Sequence, residues 1–266
     1  MSTFLGQIDR QSFDGITCVT RRWGTDARVQ LIHGFLGHSL WWAWFAEHWG
    51  QSVYAHDLSG MGLSDWRTSY YFEDHVREVT RSIDRPTVLI GHSYGGLCAY
   101  AAASQSKDVQ AVVMIDSPTI QWLLEPEPRA KIRLIAMRDM QEVRQRFRLI
   151  PEQPPFERDV MDFLAENSVR TVPGGDEWLF DPHVNQISAH GQADFLQPCR
   201  VPLLYIRATR SPANLHQGLS QLCHVNPAAK IVDVDAYHAL LVDQAAVCVS
   251  LITDWLKSHD VSITGY

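Results

Sequence analysis

The chain has 266 residues, 45% of them hydrophobic and 20% charged, long enough for one large α/β domain or two small ones and too long for a disulfide-stapled miniprotein. Its formal net charge of -7 supplies no basic field to gather nucleic acid or an anionic membrane. The first ten residues lack a basic start followed by an apolar run, and no stretch of about 18 apolar residues occurs. The expectation is therefore a cytoplasmic protein, monomer or homodimer, whose partner is a small-molecule substrate and neither nucleic acid nor membrane.

In chain order, residues 16–20 and 29–32 read as strands, 40–48 as a helix, 53–55 as a strand and 72–83 as a helix. A strand at 87–90, a helix at 94–104 and a strand at 111–115 follow. After an interval come strand 203–206, helix 212–222, strand 231–234 and helix 240–258. The Val-, Ile- and Leu-rich runs are continuous, as in parallel strands buried on both faces, and their alternation with helices predicts an α/β fold with a mostly parallel sheet flanked by helices.

The interval from Ser117 to Arg200, 84 residues, is too long for a crossover and must carry structure of its own. Ile132, Ala136, Met140, Val143 and Phe147 make a helical stripe in it, and a second helix is expected over 156–166. Arg129, Arg133, Arg138, Arg144 and Arg148 fall outside the stripe and read as a solvated face rather than an anion site. Five cysteines, Cys18, Cys98, Cys199, Cys223 and Cys248, form no C-x-x-C pair and read as reduced thiols, mostly buried.

Gly91-His92-Ser93-Tyr94-Gly95-Gly96 follows strand 87–90 and opens helix 94–104. It fits G-x-S-x-G in a strand–turn–helix setting, where glycines two residues either side of Ser93 clear a sharp turn and leave the serine strained and exposed, a candidate nucleophile. A hydroxyl at its free pKa needs a base. His238, in Tyr237-His238-Ala239 between the last strand and the last helix, lies where a loop reaches the same sheet edge. After strand 29–32, His33-Gly34-Phe35-Leu36-Gly37 brings another backbone N–H there, so the amides of Phe35 and Tyr94 are the expected oxyanion hole.

The His-Gly loop, Gly60-Met61-Gly62-Leu63-Ser64, the serine turn and the terminal His238 occur in one order, and over nearly the whole chain they resemble the α/β-hydrolase fold superfamily. The resemblance implies a hydrolase core of residues 1–116 and 201–266 with a helical cap (lid) inserted at 117–200. Many members place the triad acid after the strand that follows the cap, in a stretch like G-x-x-D-P; here Ala208-Thr209-Arg210-Ser211-Pro212 has Ser211 instead. The nearest replacement is Asp116, at the end of the strand before the cap, a position that a minority of the superfamily uses, some lactonases and dehalogenases among them. Strand ends about 5 Å apart let an acid there reach the imidazole Nδ1, although a turn-capping role for Asp116 is the competing reading. Asp233 and Asp243 fall in a strand and a helix, which points them poorly, and Asp235 is the remaining acid near His238.

What the resemblance implies is a serine hydrolase that cleaves a carboxylic ester, thioester or lactone of a small hydrophobic molecule through Ser93, His238 and Asp116 and an acyl-enzyme. Serine rather than aspartate at the turn argues against dehalogenase and epoxide-hydrolase chemistry. The alternative is a cofactor-free dioxygenase of the same fold acting on a 3-hydroxy-4-oxoquinoline-like heteroaromatic, although Ser117 stands where those proteins carry tryptophan. A non-catalytic binding module is disfavoured by the intact Ser93 and His238. Trp122, Trp178 and Met140 are candidate pocket residues and His38 a candidate substrate contact, whereas Trp41, Trp42 and Trp44 read as core. No G-x-G-x-x-G, Walker loop, EF-hand or H-E-x-x-H occurs, so the sequence implies no cofactor and no metal.

Overall fold

The computed structural model describes residues 2–118, 132–189, 197–211 and 219–263. A short helix α1 (Ser2–Leu5) precedes strands β1 (Gln7–Phe13), β2 (Ile16–Trp23) and β3 (Val29–Ile32). A 3-10 turn (Ser39–Trp42), α2 (Ala43–Trp49), β4 (Val53–Asp57), α3 (Phe72–Arg81), β5 (Thr87–His92), α4 (Tyr94–Ala103) and β6 (Val109–Ile115) complete the first part. Next come α5 (Met140–Arg146), α6 (Arg158–Glu166), β7 (Val169–Val172), β8 (Gly175–Trp178) and a 3-10 turn (Pro182–Gln186). The chain returns through β9 (Leu203–Ala208), α7 (Leu219–Val225), β10 (Lys230–Val234), α8 (Leu240–Asp243) and α9 (Ala245–Ser258).

Eight strands form one sheet in the order β1-β2-β4-β3-β5-β6-β9-β10. The pairs from β4 through β10 are parallel and only β1–β2 and β2–β4 are antiparallel. Consecutive side chains of the central strands enter opposite cores, as their unbroken apolar runs require. Val88 and Ile90 of β5 pack with α2 and α9, and Leu89 packs with α3 and α4. Helix α4 is buried along its whole length, and its run of Gly, Ala and Cys lets it lie close on the sheet. Among the described residues no helix is long and apolar enough to cross a membrane.

β1 lies outside the expected strands because its residues are almost all exposed and carry no apolar alternation. Its signal is the Asp14-Gly15 pair, whose φ values of 51° and 80° make the two-residue turn that Asp-Gly favours. The helix expected at 240–258 is broken at Gln244 (φ -116°, ψ 25°) into α8 and α9.

The interval after β6 is not purely helical. α5 starts only at Met140, where the Asp139 carboxylate accepts from the Glu142 N–H at 2.9 Å and the Glu142 carboxylate accepts from the Arg138 N–H at 3.0 Å, a reciprocal cap. Residues 132–136 are irregular, so the long stripe from Ile132 is cut short. β7 and β8 form a hairpin around Pro173-Gly174, and a side chain at Gly175 would meet the Met137 carbonyl oxygen at 2.1 Å. A small buried cluster with Met137, Val143, Phe147, Leu149 and Leu164 holds these pieces together. The interval is tied to the loop after β4 by the Asp181 N–H on the Gly60 carbonyl and the Tyr70 hydroxyl on the Asp181 carboxylate, both at 2.7 Å. All five cysteines are free thiols; Cys18, Cys98 and Cys248 are buried, whereas Cys199 and Cys223 are only half-buried.

Candidate active site

Ser93 follows β5 and precedes α4 with φ 52° and ψ -124°, a conformation that costs on the order of 1–3 kcal/mol in a residue other than glycine. Its surroundings force that geometry. The Ser93 N–H donates to the Ile115 carbonyl at 2.8 Å. A Cβ at Gly91 would lie 2.1 Å from the Gly95 carbonyl oxygen, and one at Gly95 would lie 2.2 Å from that of Ile32. Glycine is required at both positions because α4 packs this tightly on β3 and β5.

Asp116, one residue beyond β6, is fully buried and itself sits at φ 44°. Its N–H donates to the Ile206 carbonyl at 2.7 Å, which locks the loop onto β9. One carboxylate oxygen accepts from the Ala208 N–H at 3.0 Å and the other accepts from His238 Nδ1 at 2.7 Å. A carboxylate can only accept, so the His238 proton sits on Nδ1 and Nε2 is left as the basic nitrogen. Asp233 and Asp235 are engaged elsewhere, on Arg207 at 2.6 Å and Arg210 at 2.5 Å, and Asp243 is exposed on α8. Ser211, in the loop after β9, is buried.

The His238 loop has two further ties. His92 Nε2 donates to the His238 carbonyl at 2.8 Å, with the two rings 4.6 Å apart. Burial, and next the neighbouring His238 ring, pushes the His92 pKa down to about 3, so it acts as a neutral donor. The Ala239 N–H donates to the Gln153 side-chain oxygen at 3.0 Å, which brings the interval after β6 against this loop.

Phe35 follows β3 in the His-Gly loop, and a Cβ on the preceding Gly34 would lie 3.3 Å from Ser93 Cβ. The Phe35 and Tyr94 rings meet edge to face at 5.5 Å. Tyr94 is the first residue of α4, so its N–H belongs to the positive end of that helix. Its hydroxyl donates to His75 Nδ1 at 2.8 Å, and His75 Nε2 donates to the Ser59 carbonyl at 3.0 Å. The loop itself is shaped by Asp57, whose carboxylate accepts from the N–H groups of Ser39 at 2.6 Å and Leu63 at 2.9 Å.

Ser93, His238, Phe35 and Tyr94 line one cavity of about 620 Å³, whose wall also contains Trp41, Phe147, Trp178 and Phe180. Trp122 lies outside the described residues. Met140 does not line this cavity; it packs at the edge of the Met137 cluster because α5 turns it there. Trp42 is fully buried in the core, whereas Trp41 is half-buried, packed against that core and also lining the cavity. His38 also lines it and is buried, donating from Nε2 to the Ser168 hydroxyl at 2.9 Å while that hydroxyl donates to the Leu164 carbonyl. Burial lowers the His38 pKa to about 4. Arg133 and Arg148 are exposed, as expected of a solvated face, and line the cavity as well. Among the described residues no group of three or more His, Cys, Asp or Glu is placed to hold a metal.

A model of the alpha/beta hydrolase family matches residues 31–251. The chain belongs to that family. It is similar to lipase LipV of Mycobacterium tuberculosis, 34% identical over 96 residues that cover 34% of this chain and 37% of the lipase. It is also similar to phospholipase YtpA of Bacillus subtilis, 28% identical over 106 residues, 35% of this chain and 41% of the phospholipase. These matches span well under half of either relative. Among solved structures, the thioesterase domain from the curacin biosynthetic pathway superposes with a TM-score of 0.77 at 24% identity, covering 93% of this chain and 98% of that domain. The Mycobacterium tuberculosis esterase Rv0045c gives 0.77 at 22% identity, covering 95% of this chain and 92% of the esterase. At such identities the superpositions establish the alpha/beta hydrolase fold, with its large, mostly parallel sheet. The names of these relatives are those of a lipase, a phospholipase, a thioesterase domain and an esterase.

Proposed function

We propose that this alpha/beta hydrolase cleaves a carboxylic ester, thioester or lactone of a small apolar molecule by acyl transfer through Ser93. The observation that carries the reading is the 2.7 Å contact from His238 Nδ1 to a buried Asp116 carboxylate locked by the Ala208 N–H, with His238 lining the same cavity as a strained Ser93. His238 Nε2 takes the Ser93 proton as Oγ attacks the carbonyl carbon, and the resulting imidazolium is stabilised by Asp116. The amides of Phe35 and Tyr94 receive the oxyanion. Collapse expels the alcohol or thiol with the proton from His238, and water, activated by the same imidazole, releases the acid. The described part of the 117–200 interval acts as a cap over the carboxyl edge, with the aromatic side chains Trp41, Phe147 and Trp178 around the apolar part of the substrate.

Oxygenation of a heteroaromatic would use the His238–Asp116 pair but has no need of a strained serine turn, which favours hydrolysis. The two separate in one experiment: a panel of aliphatic and aromatic esters, thioesters and lactones beside oxygen uptake with 3-hydroxyquinolones. Wild type is expected to hydrolyse apolar esters and Ser93→Ala to lose that activity. Oxygen uptake that survives Ser93→Ala, with no ester turnover in wild type, overturns the proposal.

A further inference from the structure

We propose that the substrate carries an anionic group, a carboxylate or a phosphate, at the far end of its apolar acyl chain, bound by Arg133, Arg146 and Arg148 of the cavity wall. The inference rests on the hydrolase reading and specifies the substrate class of the same site. The three arginines share the cavity with Ser93 and His238, and no aspartate or glutamate occurs among its described lining residues. In a chain of net charge -7, a wall of one positive sign stands out as a field for an anion.

The neighbouring arginines of the interval behave differently, and the contrast carries the assignment. Arg138 is ion-paired with Glu142 at 3.2 Å, Arg144 with Glu166, Arg158 with Asp162 at 3.7 Å and Arg170 with Glu177 at 2.7 Å. On the cavity side, Arg148 Nη1 donates to the carbonyls of Gln145 and Phe147, both at 2.7 Å, which fixes the guanidinium without cancelling its charge. Neither Arg133 nor Arg148 has a carboxylate within ion-pair distance among the described residues, and Arg146 has only a 3.5 Å share of the Glu142 that Arg138 already holds. The apolar chain lies along the aromatic side chains, with Phe147 6.4 Å from Trp41 and 6.1 Å from Trp178 between ring centroids. Low-dielectric walls beside uncompensated guanidinium groups make a charge-assisted contact stronger than on open surface. The arginines keep solvent access, so the selection is tens of fold and not thousands.

The test compares kcat/KM for mono-para-nitrophenyl octanedioate with that for its neutral methyl ester, at low and high salt, and adds an acyl ester of equal length ending in phosphate. The expected ratio of anionic to neutral ester is on the order of tenfold at low salt and shrinks at high salt. Arg133→Gln and Arg148→Gln each lower it by about threefold, whereas Arg138→Gln, outside the cavity, keeps it. Whichever anion gives the larger ratio names the group. A ratio of one or less, or a ratio unchanged in the Arg133→Gln/Arg148→Gln double variant, overturns the proposal. If wild type hydrolyses none of these esters, the hydrolase reading fails by itself, and the subsite is read in the Ser93→Ala protein by tryptophan fluorescence. Tighter binding of monomethyl than of dimethyl octanedioate supports it, and equal or weaker binding sinks it.

Discussion

At the carboxyl edge of the sheet, Ser93 and Asp116 are fixed by main-chain hydrogen bonds of 2.7–2.8 Å and by glycines with no room for a side chain. The interval between β6 and β9, by contrast, rests on a small satellite cluster and ion pairs largely open to solvent. One region is over-determined by backbone hydrogen bonds and close packing; the other is lightly held and carries part of the cavity wall. This division is the usual one between a rigid scaffold and the segments that give it specificity.

The comparison breaks most severely at Gly95. A Cβ there would sit 2.2 Å from the Ile32 carbonyl oxygen and 2.5 Å from that of His33, contacts with backbone that no rotamer relieves. Gly95→Ala is expected to lose about 3 kcal/mol or more by urea denaturation and to lose ester turnover with it; a wild-type midpoint means that the edge is looser than described. Leu164→Ala probes the other region. It removes a fully buried side chain of the satellite cluster, at a cost of about 2–5 kcal/mol. Amide exchange should accelerate in α5, α6 and the β7–β8 hairpin while β3, β5 and β6 keep their protection; equal acceleration in both regions argues that they open as one unit.

Each buried histidine, taken singly, contributes a smaller effect. Burial holds the pKa of His33, His38, His56, His75 and His92 below the ordinary value, to about 4 for His38 and about 3 for His92. The unfolded chain takes up protons as the pH falls through about 6.5 and the folded chain does not. Stability is therefore undiminished above that pH and declines below it, by up to about 1.4 kcal/mol per pH unit for each histidine that stays neutral. Urea midpoints should fall between neutrality and about pH 5, with a shallower fall in His38→Asn, which removes the link to Ser168. Midpoints that stay flat contradict the burial of these rings in neutral form.

The rigid region was also the legible one. β3 carries its apolar run at the positions expected, and the turn at Gly91–Gly96, His238 and Asp116 each announce themselves by residue type next to a strand end. Asp116 stands out because the resemblance implies an acid where Ser211 lies, and β6 runs beside β9 in the sheet. His92 was missed as a tie to the His238 loop, although it stands inside the serine motif, because its bond is to a backbone carbonyl 146 residues away. In the interval, short polar elements with few buried positions hide the hairpin, whose only local marker is Pro173-Gly174. The identity of a cavity-facing side chain there, Trp41 and Arg148 included and Met140 not, depends on how these pieces fold back over the edge, which periodicity does not encode.

The most direct measurement is kcat of Asp116→Asn on an apolar ester, beside Asp235→Asn and with urea midpoints for both. Asp116→Asn is expected to remain folded and to lose about 10⁴-fold in kcat, the scale seen when a triad aspartate becomes asparagine, because the Nδ1–H tautomer of His238 loses its acceptor. Asp235→Asn, which touches only the exposed Arg210 pair, should turn over ester at the wild-type rate. Near-wild-type kcat in a folded Asp116→Asn would contradict the assignment of the acid and leave Ser93 and His238 to act without it.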